Sequence, residues 1–314
     1  MKKFMLAPLS VCVFLAVLLV GRGFASARET EVVHAGVLTY LGTTEEDFQG
    51  GLDDLRKALN PFIPEDGNTP EDELSDFDEF QGFLRSLVTQ RRVIHFYDSL
   101  LTLQMGLRAG HVNEISLPEC VGLFLVDRNP RYEILFSLHM MPSTISFGFR
   151  RESTDLQSEF NGVIAAMKKD GTLAKLESKY ISGLGANEPG KVKFQKFEGA
   201  PTIRVAVTGD MPPIDLIAAD GSPTGYNTAV LSEIGRRLKK NIQIISVDTG
   251  GRSAALSSQR ADVVFWYRST EGIRMPRKLN ENPMKGVMKD TLEGVILSTP
   301  YYEWDTDVVI GRAQ

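Results

Sequence analysis

Short apolar segments alternate with amphipathic segments along most of the chain. Val112 to Leu117 and Tyr132 to Phe136 are predicted strands, and the segment between them predicts a helix from Pro118 to about Arg128. The same alternation returns between residues 203 and 266. Strands that alternate with helices are typical of parallel β-α-β units. The pattern therefore predicts an α/β fold in which each half of the chain builds a mainly parallel sheet flanked by helices.

Capping and turn residues mark where the predicted helices begin and end. Asp98-Ser99 is placed to cap a helix that ends at Ala109-Gly110. The apolar spacing of residues 155–180 predicts a long helix, which Asp170-Gly171 divides in two. Gly225-Tyr226-Asn227 opens a helix through Leu238. Further strands are predicted at residues 32–41, 93–97, 145–150, 203–208, 242–247 and 261–266, apolar segments at 294–297 and 307–310, and helices at 79–89 and 252–258.

The first 27 residues have the three-part plan of a secretory signal peptide. Lys2 and Lys3 form a positive start, residues 11–20 are apolar, and Ala25-Ser26-Ala27 is a small-x-small cleavage site. A retained membrane anchor is the alternative, but a spanning helix needs ~20 apolar residues and this core is shorter. We therefore expect cleavage after Ala27 and a periplasmic or extracellular mature protein.

A segment rich in Gly, Pro and charge, residues 183–200, divides the mature chain and is predicted to be a linker. It separates residues 28–182 from residues 201–314. The acidic, Pro-containing stretch at about residues 60–78 is predicted to be an exposed loop or insertion. A cation site is the alternative, and it is disfavoured because the acids lack the spacing of an EF-hand calcium loop. We therefore expect two α/β halves, the first of them interrupted by this insertion.

Composition and charge exclude several kinds of function. The chain carries 35 basic and 40 acidic residues, for a net charge of −5, and its basic residues form no run, so nucleic acid is not an expected partner. Cys120 is the one cysteine left after cleavage, so no internal disulfide is expected. The four histidines lack the close spacing of a metal site. We therefore expect neither a metal nor a cofactor.

The second half resembles a known family at several motifs. Residues 203–248, IRVAVTGDMPPIDLIAADGSPTGYNTAVLSEIGRRLKKNIQIISVD, resemble the first lobe of bacterial family 3 extracellular solute-binding proteins. That family shows a Pro-Pro-aromatic loop and a Gly-Phe-Asp helix start where this chain has Pro212-Pro213-Ile214 and Gly225-Tyr226-Asn227. The stretches RSAALSSQRADVVF (252–265) and PYYEWDTDVVIG (300–311) resemble the next helix and strand and the segment that leads to the crossing between lobes.

The first half resembles the rest of the same family, but in an unusual order. Residues 97–130 are similar to the second lobe, and residues 145–180, with the specific motif Asp170-Gly171-Thr172-Leu173, are similar to its closing strand and paired helices. These closing helices precede the first-lobe match, whereas the family has them last. Two arrangements fit: a circular permutation of one two-lobed protein, or two reduced copies in tandem. We favour permutation, because each half supplies what the other lacks.

The resemblance implies a two-lobed type II periplasmic-binding-protein-like fold that closes on a solute about a hinge, expected at residues 135–145 and 299–307. It implies a non-enzymatic, exported protein that captures a small polar solute, an amino acid or related carboxylate, for the permease of an ABC transporter. Two alternatives remain open: an enzyme on the same scaffold, similar to prephenate or arogenate dehydratases, and a sensor or adaptor subunit that binds no solute.

Ligands of open α/β sheets bind outside the carboxyl ends of the strands, which selects the loops after each predicted strand. Arg252 and Arg268 are candidates to grip a carboxylate with two hydrogen bonds. The resemblance places an acid for a ligand amino group near Glu119. The candidate ligand-binding residues are two arginines, two hydroxyl donors, two acids and two apolar walls: Arg252, Arg268, Ser269, Thr270, Glu119, Asp210, Tyr226 and Trp266.

Structural roles remain open for several of these residues. Trp266 follows a strand that is expected to be buried, so it also fits the core. Glu119 fits the acidic first turn of a helix, where the helix dipole favours negative charge. Asp210 fits a turn, and Arg252 and Arg268 fit surface or ion-paired positions.

Overall fold

A computed structural model describes residues 32–38, 91–248, 251–269 and 294–313. The expected signal peptide, the acidic insertion at about residues 60–78 and the helix expected at 79–89 lie outside these residues.

The described residues form twelve strands and six α-helices. The strands are β1 (Val32–Leu38), β2 (Arg91–Tyr97), β3 (Glu114–Pro118), β4 (Tyr132–Arg150), β5 (Thr202–Val207), β6 (Asp210–Met211), β7 (Asp215–Ile217), β8 (Pro223–Thr224), β9 (Asn241–Ser246), β10 (Val263–Ser269), β11 (Val295–Leu297) and β12 (Tyr302–Arg312). The helices are α1 (Leu100–Ala109), α2 (Glu119–Val126), α3 (Thr154–Lys169), α4 (Thr172–Glu177), α5 (Tyr226–Leu238) and α6 (Gly251–Ser257).

Lobe A comprises residues 32–38, 91–137 and 306–313. Its strands lie in the order β2-β1-β3-β12-β4, and β1 pairs in parallel with both β2 and β3. β12 lies between β3 and β4 and is antiparallel to both. The second half of the chain therefore supplies an interior strand of a sheet that the first half otherwise builds.

Lobe B comprises residues 143–248, 251–269 and 294–301. Its strands lie in the order β9-β5-β10-β4-β11, with β5 parallel to both β9 and β10. β4 pairs antiparallel with β10 on one side and with β11 on the other. Lobe B thus repeats the plan of lobe A, because a strand that arrives from the other lobe is again inserted beside the third strand.

Two strands join the lobes and make the described residues share one nine-stranded sheet. β4 is 19 residues long and runs from lobe A into lobe B. β12 returns alongside it: Tyr302 and Trp304 pair with Ile145 and Ser143, and the pairing continues into lobe A after an irregularity at Asp305. We call residues 138–142 and 302–305 the crossing.

Local sequence explains how α1 begins and ends. The backbone N–H of Thr102 donates to Ser99 Oγ at 3.2 Å, which caps the first turn. The helix ends at Gly110, whose φ of 79° lies in the left-handed region that glycine adopts most readily. Leu103 and Leu107 recur at helical spacing and are fully buried against the sheet.

The core of lobe B is rich in aromatic rings. Phe147 of β4 packs edge-on against Phe160 of α3, with ring centroids 5.1 Å apart. Phe147 also stacks on Tyr301 at 4.5 Å. The Tyr301 hydroxyl donates to Asn227 Oδ1 at 3.0 Å, so the segment that leads into β12 is fixed against α5. Packing and hydrogen bonding together hold the crossing strand to lobe B.

The expected fold class, a two-lobed α/β protein in which each lobe has a mainly parallel sheet flanked by helices, is confirmed. One element differs from the sequence prediction: β4 is continuous from residue 132 to 150, where we expected two strands with a break near residues 137–144. Pro142, Ser143 and Thr144 interrupt the apolar pattern there. The strand persists because residues 143–145 pair with both β10 and β12, which supply partners on each side.

Candidate ligand-binding cleft

The carboxyl ends of the parallel strands in the two lobes face each other across the crossing. In lobe A, Pro118 at the end of β3 pairs with Asp307, next to the crossing. In lobe B, Ser269 at the end of β10 pairs with Ser143, at the other end of the crossing. The loops that follow the parallel strands of both lobes therefore border one cleft, which is where open α/β sheets bind ligands.

The lobes also approach each other beside the crossing. α1 of lobe A and β6 of lobe B contain Cα atoms within 8 Å of each other. α1 begins directly after the carboxyl end of β2, and β6 lies directly after the carboxyl end of β5. The two loop regions that the sequence assigns to a ligand site thus meet in the folded chain.

Glu119 lies on the lobe A side of the cleft. It is the first residue of α2, directly after β3, and its side chain is exposed. The N-terminus of a helix favours a carboxylate, so the helix dipole helps to hold this charge in place. Both sequence-based interpretations of Glu119, an early-turn acid and a ligand contact, are compatible with this position.

Asp210 and Asp215 lie on the lobe B side. Asp210 opens the small three-stranded sheet β6-β7-β8 and is partly exposed, whereas Asp215 at the start of β7 is 1% exposed. Asp215 Oδ2 accepts hydrogen bonds from the backbone N–H of Gly209 at 3.2 Å and from Thr208 Oγ1 at 3.3 Å. Its other oxygen, Oδ1, is buried without a hydrogen-bond partner among the described residues.

The surroundings of Asp215 disfavour its charge. Burial raises the pKa of this carboxyl from 3.8 to about 6, and the nearby charge of Asp210 raises the pKa further, against the lowering effects of the Gly209 hydrogen bond and of Arg252. The sequence analysis did not identify Asp215. The available signal was an acid between the apolar residues Ile214 and Leu216.

Arg252 lies near Asp215 but is not exposed to the cleft. Its side chain in α6 is 3% exposed, and Nη1 donates to the backbone carbonyl of Phe265 at 3.4 Å. Its charge lowers the pKa of Asp215, which places the two ionic groups in the same buried environment. The guanidinium is therefore engaged by the interior of lobe B, beneath the strand ends.

For the other candidates at the end of β10, the structure gives the position of the backbone. Arg268 and Ser269 are the last two residues of β10, and they pair with Thr144 and Ser143 where the crossing enters lobe B. Thr270 lies outside the described residues.

Tyr226 and Trp266 lie in the core rather than on the cleft wall, which corrects our expectation for both side chains. Tyr226 is fully buried, and its hydroxyl donates to the backbone carbonyl of Tyr301 at 3.0 Å. Trp266 is 3% exposed in a cluster with Ala255 and Leu256 of α6. Apolar packing explains both positions, because each ring covers a helix against the sheet.

The crossing contributes a cluster that sequence reasoning missed. Trp304 Nε1 donates to Asp307 Oδ1 at 3.1 Å, and the Trp304 ring stacks on Tyr302 with centroids 5.9 Å apart. Burial raises the pKa of Asp307 to about 6 and that of the Cys120 thiol to about 12, while a hydrogen bond with Tyr302 opposes the second shift. Tyr302, Trp304 and Asp307 are neighbours on β12, and Cys120 of α2 joins them because β12 crosses back into lobe A.

Among the described residues, no three His, Cys, Asp or Glu side chains converge as a metal site would require. None of the helices in the described ranges is long and apolar enough to span a membrane.

Two α/β lobes of the same strand order, joined by two crossing strands and facing each other with their parallel-strand ends, define a two-lobed fold of the type II periplasmic-binding-protein kind. Residues 203–270, which run from the second residue of β5 to just after β10, match the sequence profile of the bacterial extracellular solute-binding proteins, family 3. The matched segment is the part of lobe B that carries Asp210, Asp215 and Arg252. No sequence among curated proteins matches the chain.

Solved structures of low sequence identity align with most of this chain. One is a zinc-bound ligand-binding component of an ABC-type import system from Staphylococcus aureus, 9% identical over 90% of this chain and 66% of the other, with a TM-score of 0.39. Another is the alkanesulfonate-binding protein SsuA from Xanthomonas axonopodis pv. citri bound to MOPS, 7% identical over 91% and 66%, with a TM-score of 0.40.

A third is the GluR0 ligand-binding core from Nostoc punctiforme in complex with L-glutamate, 11% identical over 90% of this chain and 85% of the other, with a TM-score of 0.35. The chain spans just under two thirds of the length of the first two structures. The ligands named belong to those proteins, and similarity at this level carries no argument about the ligand of this chain.

Proposed function

We propose that the protein is an exported solute-binding protein that captures a small polar solute between its lobes and delivers it to the permease of an ABC transporter. An amino acid or a related small carboxylate is the ligand class that the resemblance of residues 203–270 favours. The mature protein then acts in the periplasm or outside the cell, as the N-terminal signal-peptide pattern predicts.

One observation carries this proposal: the carboxyl ends of the parallel strands in both lobes face each other across the crossing. A solute bound there contacts both lobes at once, so binding energy is coupled to closure of the cleft. The crossing has only two strands, and the irregularity at Asp305 interrupts their pairing at its centre. This geometry supports a hinge where the sequence predicts one.

The contacts proposed for the solute come from both sides. Glu119 is offered from lobe A, Asp210 from lobe B, and Arg268 and Ser269 from the end of β10 beside the crossing. Arg252 is buried in lobe B and stabilises this side of the cleft through its hydrogen bond to the Phe265 carbonyl. Thr270 remains a candidate from the sequence alone.

A thermal-shift screen of residues 28–314 against amino acids, organic acids and small peptides tests the proposal. A solute specific for the native state raises the melting temperature with its concentration. Asp210→Asn and Glu119→Gln are expected to weaken the response to the same solute, because they remove one charge from each lobe. Glu198→Gln, an exposed acid of the linker, is the control and leaves the response unchanged.

Two results oppose the proposal. A screen in which no solute changes the melting temperature contradicts solute capture. A solute whose effect depends on Asp210 but not on Glu119 or any other lobe A residue contradicts binding between the lobes.

A further inference from the structure

The chain between α4 and β5 is held to lobe B at both of its ends. At the start, α4 packs against α5. At the end, Thr224 Oγ1 donates to the carbonyl oxygen of Gly190 at 2.7 Å and lies 3.0 Å from that of Pro189. We call residues 183–190, which run up to this second anchor, the strap. Its middle part contacts lobe A.

Arg128 of lobe A makes this contact. It follows the end of α2, and its Nε donates to Glu188 Oε1 at 3.1 Å while its Nη2 donates to the carbonyl oxygen of Asn187. Its Nη1 donates to the carbonyl oxygen of Phe124 at 3.0 Å, and the guanidinium lies 3.5 Å from the centroid of the Phe124 ring. One side chain thus binds its own helix and the strap at the same time.

The strap is ordered by burial as well as by this contact. Leu184 is buried and belongs to a hydrophobic cluster that also contains Phe124 and Leu125 of α2 and Phe160 of lobe B. The backbone N–H and the Nδ2 of Asn187 each donate to the carbonyl oxygen of Leu184 at 3.1 Å. This turn therefore holds the Asn187 carbonyl, the acceptor of Arg128, in a fixed position.

The contact is remote from the cleft and leaves the strap little slack. Helix α2 begins at the cleft with Glu119, so its length places Arg128 on the order of 12 Å from the cleft edge. Asn187 is close in sequence to the anchored Pro189, and two residues span at most ~7 Å. A movement of α2 relative to lobe B by more than a few ångströms must therefore break the hydrogen bonds between Arg128 and the strap.

We propose that Arg128 is a positioning residue for solute capture: it ties the strap to α2 and so restrains the movement of the two lobes about the crossing. This tie connects the lobes in addition to β4 and β12, and it consists of side-chain contacts that can break and re-form. The inference rests on the proposed function, because it concerns the closure of the cleft on a solute. Arg128 acts through the strap and does not touch the solute.

The arginine contributes more to this tie than its ion pair does. The Glu188 side chain is 72% exposed, and an exposed ion pair contributes little because water and salt screen it. The Arg128 side chain is 17% exposed, and its charged N–H groups donate to two backbone carbonyl oxygens, in bonds stronger than those between neutral groups. We therefore expect Arg128→Ala to remove the tie and Glu188→Gln to leave it intact.

Distance measurements between the lobes of the unliganded protein test the tie. Nitroxide labels on Leu101→Cys in α1 and Ala254→Cys in α6 report the separation of the lobes, because both positions are exposed and lie on opposite lobes. Cys120 stays unlabelled, since burial raises the pKa of its thiol to about 12 and the thiolate is the reactive form. Pulsed electron paramagnetic resonance of residues 28–314 gives the distribution of distances.

Arg128→Ala is expected to broaden this distribution about twofold or to add a second distance, because the lobes then populate other arrangements. Arg131→Ala is the matched control, since it removes the same charge from a nearby exposed arginine of lobe A. The distributions of Arg131→Ala and Glu188→Gln should equal that of the wild type.

A second variant separates the tie from the folding of α2. Three glycines inserted between Glu188 and Pro189 keep every contact of Arg128 but add up to ~10 Å of slack before the anchor at Thr224. This insertion is expected to broaden the distribution as Arg128→Ala does. It also tests the tie if Arg128→Ala fails to fold.

Three results overturn the tie: an unchanged distribution for Arg128→Ala, an unchanged distribution for the glycine insertion, and equal broadening by Arg131→Ala. The distances are measured without a solute. A thermal-shift screen in which no solute is active therefore contradicts the proposed function, whereas the distances decide the tie.

Discussion

At the scale of single residues, some of the candidate side chains are buried and stabilise the fold, whereas others are exposed and can contact a solute. Tyr226 and Trp266 fill the core of lobe B, and Arg252 donates to a backbone carbonyl beneath the strand ends. Glu119 and Asp210 are at least partly exposed at the cleft edge. Their side chains can therefore meet a solute without breaking a contact that the fold requires.

The pH dependence of stability is expected to reveal Asp215. Its pKa is about 6 in the folded protein, above the ordinary 3.8, so its contribution to stability is fully present below pH 3.8 and is lost as the pH rises through 6. Asparagine does not ionise, so Asp215→Asn avoids this loss of stability. The free energy of unfolding of the variant therefore rises relative to that of the wild type as pH rises from 4 to 7. The expected gain is roughly 3 kcal/mol at most.

Urea unfolding of unliganded wild type and Asp215→Asn across this range measures the difference. Asp307, whose pKa is also raised to about 6, is present in both proteins and cancels. A stability difference that stays constant with pH would show that Asp215 ionises normally.

At the scale of elements, helix α2 lies unusually close to the strand that arrives from the other half. A Cβ atom on Gly122 would lie 2.1 Å from Val308 Cγ2 of β12 and 3.3 Å from Ile310 Cδ1. No side chain fits in this space. Glycine at this position is therefore explained by the inserted strand, which the sequence near residue 122 does not reveal.

Substituting glycine by alanine is expected to have opposite effects at two helical sites. Gly122→Ala overpacks α2 against β12 and should lower the free energy of unfolding by about 1–3 kcal/mol. Gly162→Ala, in the exposed face of α3 with no atom within 4 Å of the new Cβ, should raise the free energy of unfolding by about 0.5–1 kcal/mol. Chemical denaturation of both variants provides the comparison, and equal effects would refute the close approach of α2 and β12.

At the scale of the whole molecule, each half of the chain completes the sheet of the other. β12, from the second half, lies between β3 and β4 in lobe A. β4, from the first half, lies between β10 and β11 in lobe B. This exchange is the arrangement that a circularly permuted two-lobed protein requires, and we propose permutation rather than tandem copies on that basis.

Separate production of the halves tests the exchange of strands. Residues 28–182 lack β12, and residues 201–314 lack β4, so each half alone exposes the edges of an incomplete sheet and should show no cooperative thermal transition. The two halves produced together should form a complex that shows a cooperative thermal transition. A cooperative transition for either half alone would instead support two independent tandem domains.

The sequence predicted what depends on local pattern. The cap at Ser99, the break at Asp170-Gly171 and the helix that opens at Tyr226 occur where the residues place them, because capping and turn chemistry act over a few residues. The alternation of strands and helices also gave the fold class. It selected Asp210 and Glu119 as cleft residues, since parallel-strand ends can be located from the order of elements alone.

The tertiary structure decided what depends on partners distant in the chain. The continuity of β4, the burial of Tyr226 against Tyr301 and the meeting of Cys120 with Tyr302 all require strands that cross between the lobes. The burial of Arg252, whose Nη1 donates to the carbonyl of Phe265 on β10, likewise appears only in the folded lobe. Charge and hydrogen-bonding demands of this kind arise from three-dimensional proximity, so a linear pattern specifies the elements of this protein but not the chemistry of its cleft.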